Sequence, residues 1–191
     1  YHAFQAYLAH AGKTEKRTQE EQYFLDETMQ DFVRQGLALP VEKLAEVNKI
    51  RQKLSEYAIQ FQKNINDDQR SIQVSRAALA GLNDDFIAAL EQAPDGTYTL
   101  GTDYPTYFEV MPHCNVSETR KQLFLAYSNR AYPQNVEVLE HIIALRDKLA
   151  KLLGFESYAH LDIDAAMAKT PDVAAAFIHE LLEHASKKEA I

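Results

Sequence analysis

Residues 179–184, His-Glu-Leu-Leu-Glu-His, carry the residue types that hold a zinc ion, at a spacing one residue too long. Two histidines four positions apart on a helix converge on one ion, and a glutamate between them acts on the metal-bound water. Here His179 and His184 stand five apart. At about 100° per residue, side chains four apart diverge by about 40° and side chains five apart by about 140°. The two rings therefore point away from each other. The apolar residues of the same segment, Val173, Phe177, Ile178, Leu181, Leu182 and Ala185, form one stripe that is expected to face the core. That places His179 and Glu183 on the solvent side and His184 at the margin. A third ligand would have to come from another helix, and the seven residues after His184 support none. The hexapeptide reads as the polar edge of a surface helix.

Other constellations are equally incomplete. Glu137 with His141, and Glu180 with His184, sit four apart, whereas di-iron bundles use Glu-x-x-His at three with two further glutamates. They read as exposed i,i+4 pairs. His113 and Cys114 are adjacent, but a lone Cys beside a His reads as a partly buried thiol. The acidic pairs Asp67-Asp68, Asp84-Asp85 and Asp162-x-Asp164 lack the loop pattern of a calcium site. Tyr104, Tyr107 and Phe108 offer a recognition patch, although the core of a hairpin is the expected use. There is no Gly-rich phosphate loop and no Gly-x-Ser-x-Gly elbow. The expected sets of catalytic and metal-binding residues in this chain are therefore empty, and substrate-binding residues are not readable.

The elements that would position these residues are mostly helices. Of 191 residues, 46% are hydrophobic and 25% charged, the balance of a globular protein able to bury a core. A formal charge of -8 without a Lys/Arg stripe argues against nucleic acid, and no apolar run approaches membrane-spanning length. The single cysteine suits a cytoplasmic setting. Residues 1–11 read as helix. The next helix opens at Thr18 with Glu21 as a capping box and closes at Gly36. Pro40 suits the first turn of a long helix through Val47, Ile50, Leu54, Tyr57 and Phe61 to about Asp67, roughly 40 Å at about 1.5 Å per residue. Asn83 caps a short helix through Ala93, and Pro94-Asp95-Gly96 forms a turn. Residues 97–111, rich in Thr and aromatics, predict a small β-hairpin. Helices resume from Ser117 to about Ala131, from Asn135 to Gly154, from Ser157 to about Ala168, and from Thr170-Pro171-Asp172 onward. The expected fold is mainly α, a bundle of long antiparallel helices with one small hairpin near residues 97–111.

Five segments occur in a recognisable order: "EEQYFLDETMQDFVRQGLALP", "EVNKIRQKLSEYAIQFQKNIND", "DYPTYFEVMPHCNVSETRKQLFLAYSNRA", "IIALRDKLAKLLGFESYA" and "MAKTPDVAAAFIHEL". The most specific elements are Phe61-Gln62-Lys63-Asn64, Tyr104-Pro105, Leu152-Leu153-Gly154-Phe155 with Tyr158, and Met167-Ala168-Lys169-Thr170-Pro171. Over nearly its whole length the chain resembles the thimet oligopeptidase, neurolysin and oligopeptidase A family of zinc metallopeptidases. The resemblance implies a large helical hydrolase whose deep channel admits short peptides, with zinc held downstream by an H-E-x-x-H helix and a further glutamate. Residues 1–191 would then be one helical segment from the amino-terminal half of such a protease, with the catalytic domain absent. On that basis the isolated chain is expected to be an inactive scaffold or channel-wall portion. It would hold no cofactor itself, with zinc in the full-length parent, and its partners would be short peptide substrates and the missing catalytic domain, without nucleic acid or membrane. Two other classes stay open: a stand-alone helical protein-interaction module on the same scaffold, and a metal-carboxylate bundle built on Glu137, His141, Glu180 and His184.

Overall fold

The computed structural model describes residues 1–189 as a mainly α protein with a small two-stranded antiparallel sheet. The described chain divides into two compact units, Tyr1–Glu56 with the chain from His141 onward, and Tyr57–Glu140. The unit boundaries fall within two long helices, α3 (Val41–Asp67) and α7 (Gln134–Leu152).

In the first unit, α1 is His2–Ala9 and α2 is Gln19–Arg34. The predicted capping box is present: Thr18 Oγ1 accepts from Glu21 N and Glu21 Oε2 accepts from Thr18 N. α2 stops where Gly36 turns to φ +88°, and the freed carbonyls of Arg34 and Gln35 accept from the Arg51 guanidinium at 3.0 and 2.9 Å. Val47 and Ile50 on α3 bury against Leu149 on α7 and Leu153 just beyond it. Each such burial is worth about 2 kcal/mol. The helix α8 (Tyr158–Ile163) ends five residues short of the expected Ala168, and Arg34 ties α2 to Asp164 just beyond it at 2.9 Å.

The last helix, α9 (Pro171–Glu189), begins as predicted, with Thr170 Oγ1 accepting from Val173 N at 3.4 Å. Its stripe departs from expectation. Val173, Phe177, Ile178, Leu181 and Leu182 are 52–60% exposed, and the half-buried residues of α9 are Pro171 and Ala174 in its first turn. Periodicity assigns these side chains to one face, but no described element covers that face.

In the second unit, strand β1 (Ser71–Val74) pairs antiparallel with β2 (Tyr98–Gly101), Ile72 opposite Leu100 and Val74 opposite Tyr98. On its other side Tyr98 bridges Gln92 across the predicted turn at residues 94–96. The expected antiparallel strands thus exist, but residues 97–111 supply one of them. The remainder of that stretch lies in helix α5 (Tyr104–His113), because Asp103 Oδ1 accepts from Thr106 N at 2.9 Å and Pro105 suits a first turn. The helices α4 (Asp84–Ala89) and α6 (Ser117–Ser128) are shorter than expected, and Val116 is the N-cap of α6. The core gathers Leu79, Leu100, Val110 and Leu123, all fully buried, with Val74, Ile87 and Cys114 around them.

Gly81 closes this core at its loop side. Its φ is +96°, and a Cβ there would lie 2.5 Å from the His113 carbonyl oxygen and 2.8 Å from the Asn115 side chain. The two backbones are held close here, since Asn115 N donates to the Ala80 carbonyl at 2.8 Å. Gly81→Ala is expected to destabilise by about 2 kcal/mol, from left-handed strain plus displacement of that carbonyl. A urea titration followed by circular dichroism measures it, and an unchanged midpoint would contradict the packing described.

Candidate functional site

The second unit carries a cleft of about 640 Å³ whose charged and aromatic lining includes Asp68, Arg70, Glu91, Asp103, Tyr104 and Arg130. Its walls are the end of α3, the end of β2 and the first turn of α5. Two polar networks hold those walls in place.

The first centres on Asp68, whose side chain is 11% exposed. Its Oδ2 accepts from Ala131 N at 2.7 Å and pairs with Arg70 Nε at 3.1 Å, while Oδ1 accepts from Arg70 N at 3.0 Å. Burial alone would raise this carboxyl, but the two backbone N–H groups and the guanidinium outweigh it and hold it below the ordinary carboxylate range. Arg70 Nη2 donates to the Tyr132 carbonyl at 2.6 Å. Beside this, Asn64 donates to the buried Asn135 at 2.8 Å, and Asn135 donates to the Phe61 carbonyl at 3.0 Å. Every amide here has a partner, so the junction is rigid at low cost.

The second network is aromatic. Tyr107 and Tyr127 stack with centroids 3.8 Å apart, and the Arg130 guanidinium lies 3.8 Å from the Tyr127 centroid and 5.5 Å from that of Tyr104. Arg130 also donates through Nε to the Tyr127 carbonyl and through Nη1 to the Thr102 carbonyl. Among the described residues it has no carboxylate partner, so cation–π contact and two carbonyls receive its charge. Burial, and then the hydrogen bond with Tyr104, push the Tyr127 phenol up, against the opposing charge of Arg130. Tyr104 and Phe108 stack on one another and are 56% and 60% exposed. They are therefore a solvent-facing surface of α5, and the expected hairpin core is corrected.

This cleft can hold a polar chain segment, with aromatic faces and backbone carbonyls on its walls. The other candidates are dispersed. His179 Nδ1 is 2.8 Å from the Ala175 carbonyl, and His184 Nε2 is 3.9 Å from Glu180 Oε1, all on the exposed surface of α9. Glu137 and His141 lie exposed on α7. His113 meets its own helix at the Glu109 carbonyl, and the Cys114 thiol is buried, donating to the Ala78 carbonyl at 3.5 Å. Members of each acidic pair have cationic partners: Asp67 with Lys63, Asp68 with Arg70, Asp84 with Arg76, and Asp164 with Arg34. Among the described residues no group of three His, Cys, Asp or Glu is placed to hold a metal ion, and no helix is long and apolar enough to cross a membrane. Sequence reasoning weighed Asp68 for calcium and passed over Arg130 altogether. The signal available for Arg130 was its proximity to Tyr127, three residues earlier on the chain.

Residues 110–189 match the model of Peptidase family M3. The chain is 34% identical over 176 residues to oligopeptidase A of Salmonella typhimurium, an alignment that covers 84% of this chain and 26% of that protein. It is 32% identical to thimet-like oligopeptidase of Dictyostelium discoideum, over 81% of this chain and 23% of that protein. Saccharolysin of Saccharomyces cerevisiae is 29% identical over 83% of this chain and 23% of its own length. The chain spans about a quarter of the length of the curated relatives it matches.

Proposed function

Since the chain belongs to peptidase family M3, we propose that it is a non-catalytic helical segment, part of the channel wall, of a larger zinc-dependent protease that hydrolyses short peptides. The observation that supports this reading most is the breadth of the match: more than four-fifths of the chain aligns with a quarter of an oligopeptidase. The donors described here do not fit zinc, because His179 and His184 diverge on α9 and no third ligand stands near either. On this reading the metal and the groups that work with it belong to other parts of the longer polypeptide. The contribution of this chain is shape. In the second unit the end of α3 and the start of α7 are latched by Asn64 and Asn135, and the cleft beside Tyr104 and Arg130 would offer carbonyls and aromatic faces to an extended peptide. The buried thiol of Cys114 is compatible with a cytoplasmic setting.

The test uses the full-length protein and a short internally quenched peptide. The unsubstituted protein is expected to cleave it in a chelator-sensitive manner, and His179→Ala and His184→Ala to leave zinc content and kcat/KM unchanged within about twofold. A fall of more than about tenfold with loss of bound zinc would overturn the non-catalytic assignment.

A further inference from the structure

α9 presents Val173, Phe177, Ile178, Leu181 and Leu182 within one half of its circumference, all more than half exposed. At about 100° per residue they span an arc of about 180° that His184 and Lys188 enter at its C-terminal end, and the other half carries Asp172, His179, Glu180, Glu183 and Lys187. By the area scale of large apolar side chains, the stripe exposes on the order of 500 Å². That matches the largest apolar patch of a typical monomer, a size that usually marks an interaction site.

From this stripe, and resting on the peptidase reading above, we propose that the apolar face of α9 is the seat of another part of the same longer polypeptide, a segment with a complementary apolar face. Three observations single out that occupant. The chain spans about a quarter of its relatives, so most of the polypeptide of such a protein lies outside these residues. The family match runs from residue 110 through 189 and so takes in the whole of α9. The stripe also falls short of the roughly 800 Å² per partner that a stable interface between separate molecules needs. A segment tethered to the same chain binds at high effective concentration and needs less area. A second copy meeting stripe to stripe lacks that advantage. A lipid surface fits less well, because the polar half sets Asp172, Glu180 and Glu183 against Lys187 alone, where an interfacial helix is rich in Lys and Arg.

Thiol footprinting of the full-length protein tests this, with labelling read site by site by mass spectrometry. Leu181→Cys and Ile178→Cys report the stripe, Glu183→Cys reports the polar face, and native Cys114, buried, serves as the protected standard. The expected result is labelling at residues 181 and 178 at least about a hundredfold slower than at residue 183, in a protein that remains monomeric at nanomolar concentration. Equal labelling on both faces would overturn the proposal. Protection that disappears on dilution as a dimer dissociates would assign the stripe to a second copy and overturn it too. If a Cys variant fails to fold, hydroxyl-radical footprinting of the Phe177, Leu181 and Leu182 side chains in the unsubstituted protein reads the same cover: slow oxidation supports the seat and rapid oxidation refutes it. Peptide cleavage by the same preparation is scored separately. Protection without cleavage removes the peptidase reading and leaves the seat intact, while cleavage with full labelling does the reverse.

Discussion

Leu123→Ala is expected to lower stability by about 4 kcal/mol, the largest effect of any single truncation in the second unit. Leu123 has no solvent exposure and sits on α6 among Leu79, Leu100 and Val110, which have none either. Removing three carbons there forfeits the transfer of a Leu side chain and leaves a cavity with few ways to collapse. The strand pair lies on one side and the backbone contact at Gly81 closes the loop side. A loss of that size is a large fraction of what holds a unit of this length together. Leu125, two residues on and about half exposed, is the control. Leu125→Ala should move the urea midpoint by the equivalent of about 0.5 kcal/mol or less. Comparable shifts in the two variants would mean that α6 does not bury the face described.

Asp68→Ala is expected to cost about 3 kcal/mol at neutral pH, and the loss should shrink in acid. The carboxylate holds Ala131 N, Arg70 N and Arg70 Nε at once, and Ala131 adopts φ 58°, a conformation that an alanine takes at a cost. Without the acceptor, the buried N–H of Ala131 loses its partner and the Arg70 guanidinium keeps only the Tyr132 carbonyl. The pH dependence follows from the depressed carboxyl. A group whose folded pKa lies below its unfolded value of about 3.9 adds stability in full above that value. The contribution is lost as pH falls through the folded pKa. Wild type and variant should therefore differ fully at pH 7 and converge below about pH 4. A constant difference from neutrality to pH 3 would show that the carboxylate is not held by those donors.

Local chemistry made much of this fold legible. The Thr18 and Glu21 box, the glycine stops at Gly36 and Gly154, and the Thr170-Pro171 start are written in adjacent residues, and each appears at its expected place. Boundaries drifted where the terminating signal is tertiary, as at α4 and α8. The stretch from residue 97 was misread in its second half because Tyr and Thr favour strands, although Tyr104, Tyr107 and Phe108 also stand at helical spacing behind an Asp cap. The partner of β2 was missed because Ser71–Val74 is four residues long and its register is fixed by a strand 27 positions away. Of the cleft, the sequence displayed Asp68 and Tyr104 as residue types, but the hold of Asp68 on Ala131 and the carbonyl partners of Arg130 depend on the folded backbone. On α9, periodicity grouped the apolar residues correctly and was silent on whether anything lies over them.

The division of the chain also sets a timetable for its birth on the ribosome. The second unit is one uninterrupted stretch, whereas the first is assembled from segments on either side of it. Val47 and Ile50 emerge early, yet their partners Leu149 and Leu153 follow about a hundred residues later. At about 5–20 residues per second, those side chains wait on the order of 5–20 s for α7, with only nearby residues of their own segment such as Leu39 and Leu54 to cover them, and Tyr57–Glu140 emerges in full before that wait ends. The inner stretch is therefore complete before the two segments that flank it can meet, and Val47 and Ile50 spend that interval as apolar surface without their partner helix.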